Sequence, residues 1–243
     1  MTIRYIPFVG SWELVIEQML SEARKAKAIL DVGGGRYPAI PLEELNGAEY
    51  TVIDVSSEEL SSTPAGYKKV LGDICTAKLE QKYDLVISKC VAEHVPDGEA
   101  FHRNIFRALV PGGVAWHFFP TLYCTPFVTN RLLPERLTNW ILGLMYPHRK
   151  TWKFPAYYSW CRGPSIRQIE RLEGIGYQIV DYTAIFGHNY WDFCPPLAKL
   201  NQQLASYLVR HPRPFFTAFS MITLRKPHRY PSVKAYRNLK RKL

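Results

Sequence analysis

The sequence has no apolar run approaching the ~20 residues that span a bilayer, and its amino terminus lacks the basic, apolar, small-residue order of a signal peptide. It has five cysteines, an odd number, and no Cys-x-x-Cys pair. A disulfide scaffold is therefore not expected, and a reducing, cytoplasmic compartment is. No Gly-Lys-Ser or Gly-Lys-Thr follows its glycines, which argues against a phosphate-loop nucleotide site. No compact set of His, Cys, Asp and Glu has ligand spacing, so no metal is expected.

The carboxyl end lacks acid. Residues 226–243 carry seven Lys or Arg and no Asp or Glu, which supplies most of the formal net charge of +10. The excess is a basic tail on a nearly balanced body. Three readings fit such a tail: a solvated end, contact with an anionic membrane or a lipid-linked substrate, and contact with nucleic acid. The division expected is one domain over 1–225 and the tail over 226–243.

What the chain does have is strand and helix in alternation. Ala28–Val32 is a short apolar strand bearing Asp31, and Gly33, Gly34 and Gly35 follow it at once. Trp12, Val15, Ile16, Met19, Leu20 and Ala23 recur at three- and four-residue steps, predicting a helix over about 11–26. Further strands are expected at 50–54, 67–71, 83–88 and 114–119. A helix capped by Asp97 should run to Leu109, and Pro111-Gly112-Gly113 should turn it into the next strand. This order predicts an α/β fold with an open, mostly parallel sheet and right-handed crossovers.

Residues 120–164 break the pattern. They are dense in proline and aromatics, with a helix expected only over 132–144. They are read as an insertion folded over the mouth of the sheet, enclosing a substrate, with plain packing as the rival. Regularity returns with a helix at 165–172 whose inner stripe should be Ile166, Ile169 and Leu172. A strand at 177–185, a helix at 197–209 and a strand at 215–224 complete the chain, compatible with an antiparallel edge on the parallel core.

With the strands so placed, the glycines, Asp54, Asp73 and Ser88 to Glu93 fall at the carboxyl ends of neighbouring strands, where such sheets bind ligands. Asp54 lies 21 residues after Gly33 and can accept both hydroxyls of an adenosine ribose. Asp73 can accept from the adenine amine, with Val55 and Ile74 against the ring. Each acid could instead cap its own turn. A dinucleotide fits poorly, because Pro38 stands where a Gly-x-Gly-x-x-Gly turn needs its third glycine. The site suits an adenosine without a pyrophosphate.

The run Ile29 to Gly35, Asp54, Gly72-Asp73-Ile74, Tyr83 to Val95 and Leu109 to Gly113 resembles class I S-adenosylmethionine-dependent methyltransferases over about residues 28–120. The resemblance implies a Rossmann-like, seven-stranded sheet whose last strand is antiparallel, and S-adenosyl-L-methionine as cofactor. Asp31, Gly33, Gly34, Gly35 and Ser88 would belong to the cofactor site with Asp54, Val55, Asp73 and Ile74. One departure is Tyr37, where many members have the third glycine of acid-x-Gly-x-Gly-x-Gly.

For an acceptor oxygen of high pKa a general base helps, and His94 is the first candidate. Glu93 beside it could orient it, hold the cofactor's amino group or cap the turn; His188 is a second base candidate. His117, inside a strand, reads as a core histidine. Tyr157, Tyr158 and Tyr190 could line an acceptor pocket. The main expectation is methyl transfer to a hydroxyl, less readily an amine, of a small molecule such as a sugar, glycan precursor or lipid-linked acceptor. The alternatives are an RNA-modifying enzyme anchored by its tail and a catalytically silent binding module that Tyr37 would fill.

Overall fold

The computed structural model describes residues 2–132 and 155–228. The expected helix at 132–144 beyond Leu132, residues 133–154 of the insertion and the tail beyond His228 therefore lie outside the described residues. Among the described residues, eight strands form one sheet: β1 (Arg4–Pro7), β2 (Ala28–Val32), β3 (Glu49–Asp54), β4 (Lys68–Leu71), β5 (Tyr83–Lys89), β6 (Leu109–Pro120), β7 (Gln178–Phe186) and β8 (Thr217–Arg225). Their spatial order is β1-β7-β8-β6-β5-β2-β3-β4. The mostly parallel α/β expectation holds, with one strand more than the seven implied. The antiparallel strand β8 is interior, paired with both β6 and β7. The edge belongs instead to β1, which runs parallel to β7.

The strand sequences explain why the sheet is covered on both sides. Ile29, Leu85, Ile87, Trp116 and Phe118 enter one core with Val15, Met19 and Ala23 of helix α1 (Ser11–Ala23). Their neighbours Leu30, Val86 and Ala115 enter the other, with Phe101, Ile105 and Phe106 of α3 (Gly98–Ala108). A parallel strand with helices on both faces needs apolar residues at consecutive positions, hence the unalternating runs in the sequence. Each of the Val, Leu, Ile, Phe and Met side chains among them, fully withdrawn from water, contributes roughly 1.5–3 kcal/mol.

Helix ends follow local chemistry. Asp97 Oδ1 accepts from Ala100 N at 2.9 Å, capping α3 as its sequence predicts. A short helix α2 (Ser57–Ser61) is capped by Ser56, whose hydroxyl accepts from Glu59 N. After α4 (Thr125–Leu132), α5 (Ile166–Ile175) is capped by Ser165. Its inner side differs from the expected stripe: Leu172 and Gln168 are buried, whereas Ile166 is 77% exposed. Gln168 Nε2 donates to the Trp160 carbonyl, which draws this polar residue inward and rotates Ile166 out. The last helix, α6 (Pro195–Arg210), packs Ala205 and Leu208 against Phe186 of β7.

The strand order positions the site. β2 has β3 on one side and β5 on the other, so the chain winds outward through β3 and β4, then crosses back. At that switch point the chain changes its direction of travel across the sheet, and a crevice opens beyond the carboxyl ends of the strands.

Candidate cofactor and acceptor site

A cavity of about 270 Å³ fills this crevice. Its lining includes Val32 and Gly33 after β2, Asp54 and Val55 after β3, Gly72, Asp73 and Ile74 after β4, and Val91, His94 and Val95 after β5. Pro96, Pro155 and Tyr157 complete its wall.

The glycine loop is shaped by Asp31. This buried carboxylate accepts from Ala39 N at 2.7 Å and from the Tyr50 hydroxyl at 3.0 Å, tying both ends of the loop to the sheet. Burial raises its pKa to about 6, against the pull of those two donors and of Lys89. A Cβ at Gly34 would lie 2.4 Å from Asp31 Oδ2, so only glycine lets the loop pass the carboxylate. Gly33, at φ +73°, lines the cavity; Asp31, Gly34 and Gly35 stand behind it as its support.

Asp54 and Asp73 are arranged alike. Asp54 Oδ1 accepts from Ser56 N at 2.9 Å, and Asp73 Oδ1 accepts from Cys75 N at 2.8 Å. Each carboxylate is thus oriented by the turn it begins, and no hydrogen bond uses Oδ2 of either among the described residues. The turn-capping and ligand-accepting roles read from the sequence are compatible in one side chain. Val55 is exposed beside Asp54, while Ile74 is mostly buried below Asp73. Together with Gly33 this is a donor-accepting, apolar-walled slot, which fits an adenosine carrying ribose hydroxyls and an amine.

Ser88 lies elsewhere. It is fully buried, with its hydroxyl 2.7 Å from His117 Nδ1 and no part in the cavity lining. His117 is a core histidine, packed at 5.1 Å against the ring of His102. Burial lowers the pKa of His117 to about 3 and holds that of His102 well below its usual value.

The Glu93-His94 pair sits on a single turn, Ala92–His94, after β5. His94 Nδ1 is 2.9 Å from the Pro155 carbonyl, which can only accept, so this nitrogen carries the proton of the neutral ring. Nε2 lies 3.8 Å from Glu93 Oε1. Glu93 is buried with Oε2 lacking a partner among the described residues, and desolvation raises its pKa to about 8. Its carbonyl accepts from Tyr157 N and Tyr158 N, which fastens the strap 155–160 onto the turn.

That strap separates the three tyrosines. Tyr157 lines the cavity with His94, whereas Tyr158 is turned into the core at φ +51°. Tyr190 reaches the same region through Phe127, whose ring lies 5.3 Å from Tyr190 and 6.4 Å from Tyr158. His188 is buried, packed at 4.6 Å on Trp191, and both its ring nitrogens lack partners among the described residues. Burial lowers its pKa to about 4, and it is not part of the cavity wall. Val91 lies within the Ser88 to Glu93 run marked in the sequence, whereas Pro155 is a cavity residue that carries no local signal.

Residues 30–117 match a family model described as a methyltransferase domain. A ubiquinone biosynthesis O-methyltransferase from Chromobacterium violaceum is 33% identical over 105 residues, covering 40% of this chain and 44% of the relative. One of the same name from Albidiferax ferrireducens is 28% identical over 162 residues, covering 61% of this chain and 63% of the relative. The chain thus spans about half the length of the curated relatives it matches.

Among solved structures, an S-adenosylmethionine-dependent methyltransferase from Mesorhizobium loti superposes with a TM-score of 0.55 at 19% identity, covering 88% of this chain and 97% of the other. Phosphoethanolamine N-methyltransferase 2 of Haemonchus contortus, solved with S-adenosyl-L-methionine, gives 0.53 at 16% identity, covering 91% of this chain and 54% of the other. At these identities the likeness is one of fold. Residues 30–117 are thus similar to a methyltransferase domain, and the chain shares its fold with S-adenosylmethionine-dependent methyltransferases.

Proposed function

We propose that this chain is an enzyme that moves a methyl group from S-adenosyl-L-methionine to a hydroxyl of a small molecule. The observation that carries the reading is the joint presence of Gly33, Asp54 and Asp73 in one cavity wall with His94 and Tyr157. Gly33 would admit the methionine portion, Asp54 would accept from the ribose and Asp73 from the adenine amine. When bound, the cofactor supplies a methyl group on a positively charged sulfur. The chain's own residues then have to align an acceptor and keep water out. The strap over the Glu93-His94 turn, with Pro155 and Tyr157 facing the cavity, serves the second task.

His94 is the group proposed to take the acceptor's proton. The Pro155 carbonyl favours the tautomer in which Nε2 carries the lone pair, the form a base needs. Glu93, uncharged below about pH 8, leaves that ring without a full carboxylate beside it and acts by position. His188 has a weaker claim, because its ring is enclosed by Trp191 and Tyr190.

The curated relatives are O-methyltransferases, which favours oxygen over nitrogen as the methylated atom. Within that class we propose a sugar or glycan precursor, free or lipid-linked, as acceptor. The support is that, within the resembled family, the Glu93-His94 pair after the fourth expected strand and the tail layout look like small-molecule enzymes, including those acting on sugars of surface glycans. The silent-module reading loses its main ground, because Tyr37 is 80% exposed and outside the cavity lining. The test is incubation of the full chain and labelled cofactor with panels of sugars, lipid-linked sugars, phenolic ubiquinone precursors and RNA. Transfer of label to a sugar hydroxyl supports the reading; label on a phenol or RNA alone overturns the acceptor, and label nowhere overturns the activity.

A further inference from the structure

Helix α6 is apolar on the wrong side as well as the right one. Its buried residues are Asn201, Ala205 and Leu208. Yet Leu197, Leu200, Leu204 and Tyr207 are 40%, 59%, 45% and 53% exposed. At 100° per residue these four fall within an arc of about 80°, a continuous stripe along three turns. Steps of three, four and three residues repeat the spacing of a helix that lies against an apolar surface. Phe193, just before the helix, and Phe215 and Phe216, just after it, are exposed too.

The charges on the helix itself have one sign. From Phe193 to Thr217 there are Lys199, Arg210 and Arg213 and no acid. At the same 100° per residue, Lys199 and Arg210 share the solvent side, on the flank of the stripe away from Ala205 and Leu208. A second copy of this helix would bring cations to cations with nothing to offset them. A surface that offers both apolar depth and negative charge meets the stripe and its flank together.

We propose that the outer face of α6 is a docking surface for an anionic lipid bilayer, the helix lying in the interface plane with Leu197, Leu200, Leu204 and Tyr207 toward the acyl region. Lys199 and Arg210 reach the headgroups from the side. This contact is separate from the basic tail at 226–243 and does not depend on the proposed chemistry. It would bring the protein to a membrane without a spanning segment, and among the described residues no helix is long and apolar enough to be one.

The test is co-sedimentation of the full chain, tail included, with vesicles of phosphatidylcholine alone and of phosphatidylcholine mixed with phosphatidylglycerol. The wild type should bind the mixed vesicles preferentially. Leu200→Glu with Leu204→Glu should lower binding by more than about tenfold, since two apolar side chains leave the interface. Thermal melting should stay within a degree or so of wild type, these being exposed positions. If that pair fails to fold, Leu197→Gln with Leu200→Gln replaces it. Equal vesicle binding by wild type and folded variant would assign the contact to the tail and overturn the proposal. So would a wild type that ignores both vesicles, or a dimer in light scattering that the variant dissociates.

Discussion

Gly33 and Val91 meet so closely that a Cβ on the glycine would lie 2.5 Å from Val91 Cγ2. Gly33 also holds φ +73°, and its N–H donates to the Ile53 carbonyl at 2.8 Å. The loops after β2 and β5 therefore close on one another at a point where only backbone fits. Gly33→Ala should destabilise the protein by about 1–3 kcal/mol through the left-handed backbone and the contact together. It should also weaken cofactor binding. Thermal melts and calorimetry on the same preparation check both effects.

The buried histidines set the acid limit. His117 binds its proton only near pH 3 when folded and near its usual value of 6.5 when unfolded. The unfolded chain therefore takes up more protons between these values, and stability falls as pH drops below about 6.5. Each tenfold difference in proton affinity is worth about 1.4 kcal/mol. His102 adds in the same direction. Melting temperature should fall from pH 7 to pH 4, and His102→Phe should flatten that fall.

Glu93 sets a limit on the other side. Its carboxyl is neutral in the fold up to about pH 8, but ionises in the ordinary carboxyl range once unfolded. The contribution is full below that ordinary range and is lost as pH rises through about 8. Glu93→Gln keeps the shape without the charge, so it should melt higher than wild type at pH 9 and nearly equal to it at pH 5. If His94 is the base and Glu93 only positions it, this variant should keep its pH-rate midpoint within a fraction of a pH unit while turnover drops.

Much of this was legible from residue order. Apolar strands running into glycine or acid gave β2, β3 and β5 nearly to the residue, and with them the wall made by Gly33, Asp54 and Asp73. Asp97 announced α3 because capping is local chemistry. β1 was not legible, since four residues ending in Pro7 have no periodicity and are ordered only by pairing with β7. β6 begins at Leu109, five residues before its apolar run, because Gly112 N donates to the Lys226 carbonyl and Lys226 N donates to the Gly113 carbonyl across the sheet. The bond between His94 and Pro155 joins residues 61 apart and leaves no trace in either neighbourhood. Ser88 looked like a ligand residue from its place at a strand end, but its side chain points at His117.

The proposed site turns on Asp54 receiving the adenosine ribose. Calorimetric titration of S-adenosylmethionine and S-adenosylhomocysteine into wild type, Asp54→Ala and Asp54→Asn tests it most directly. Asn keeps an acceptor for Ser56 N, so it separates the turn from the ligand. The wild type should bind both ligands, and both variants should lose about tenfold to a hundredfold, the worth of charged hydrogen bonds. Unchanged affinity in the folded variants, or no binding of either ligand by the wild type, would contradict it.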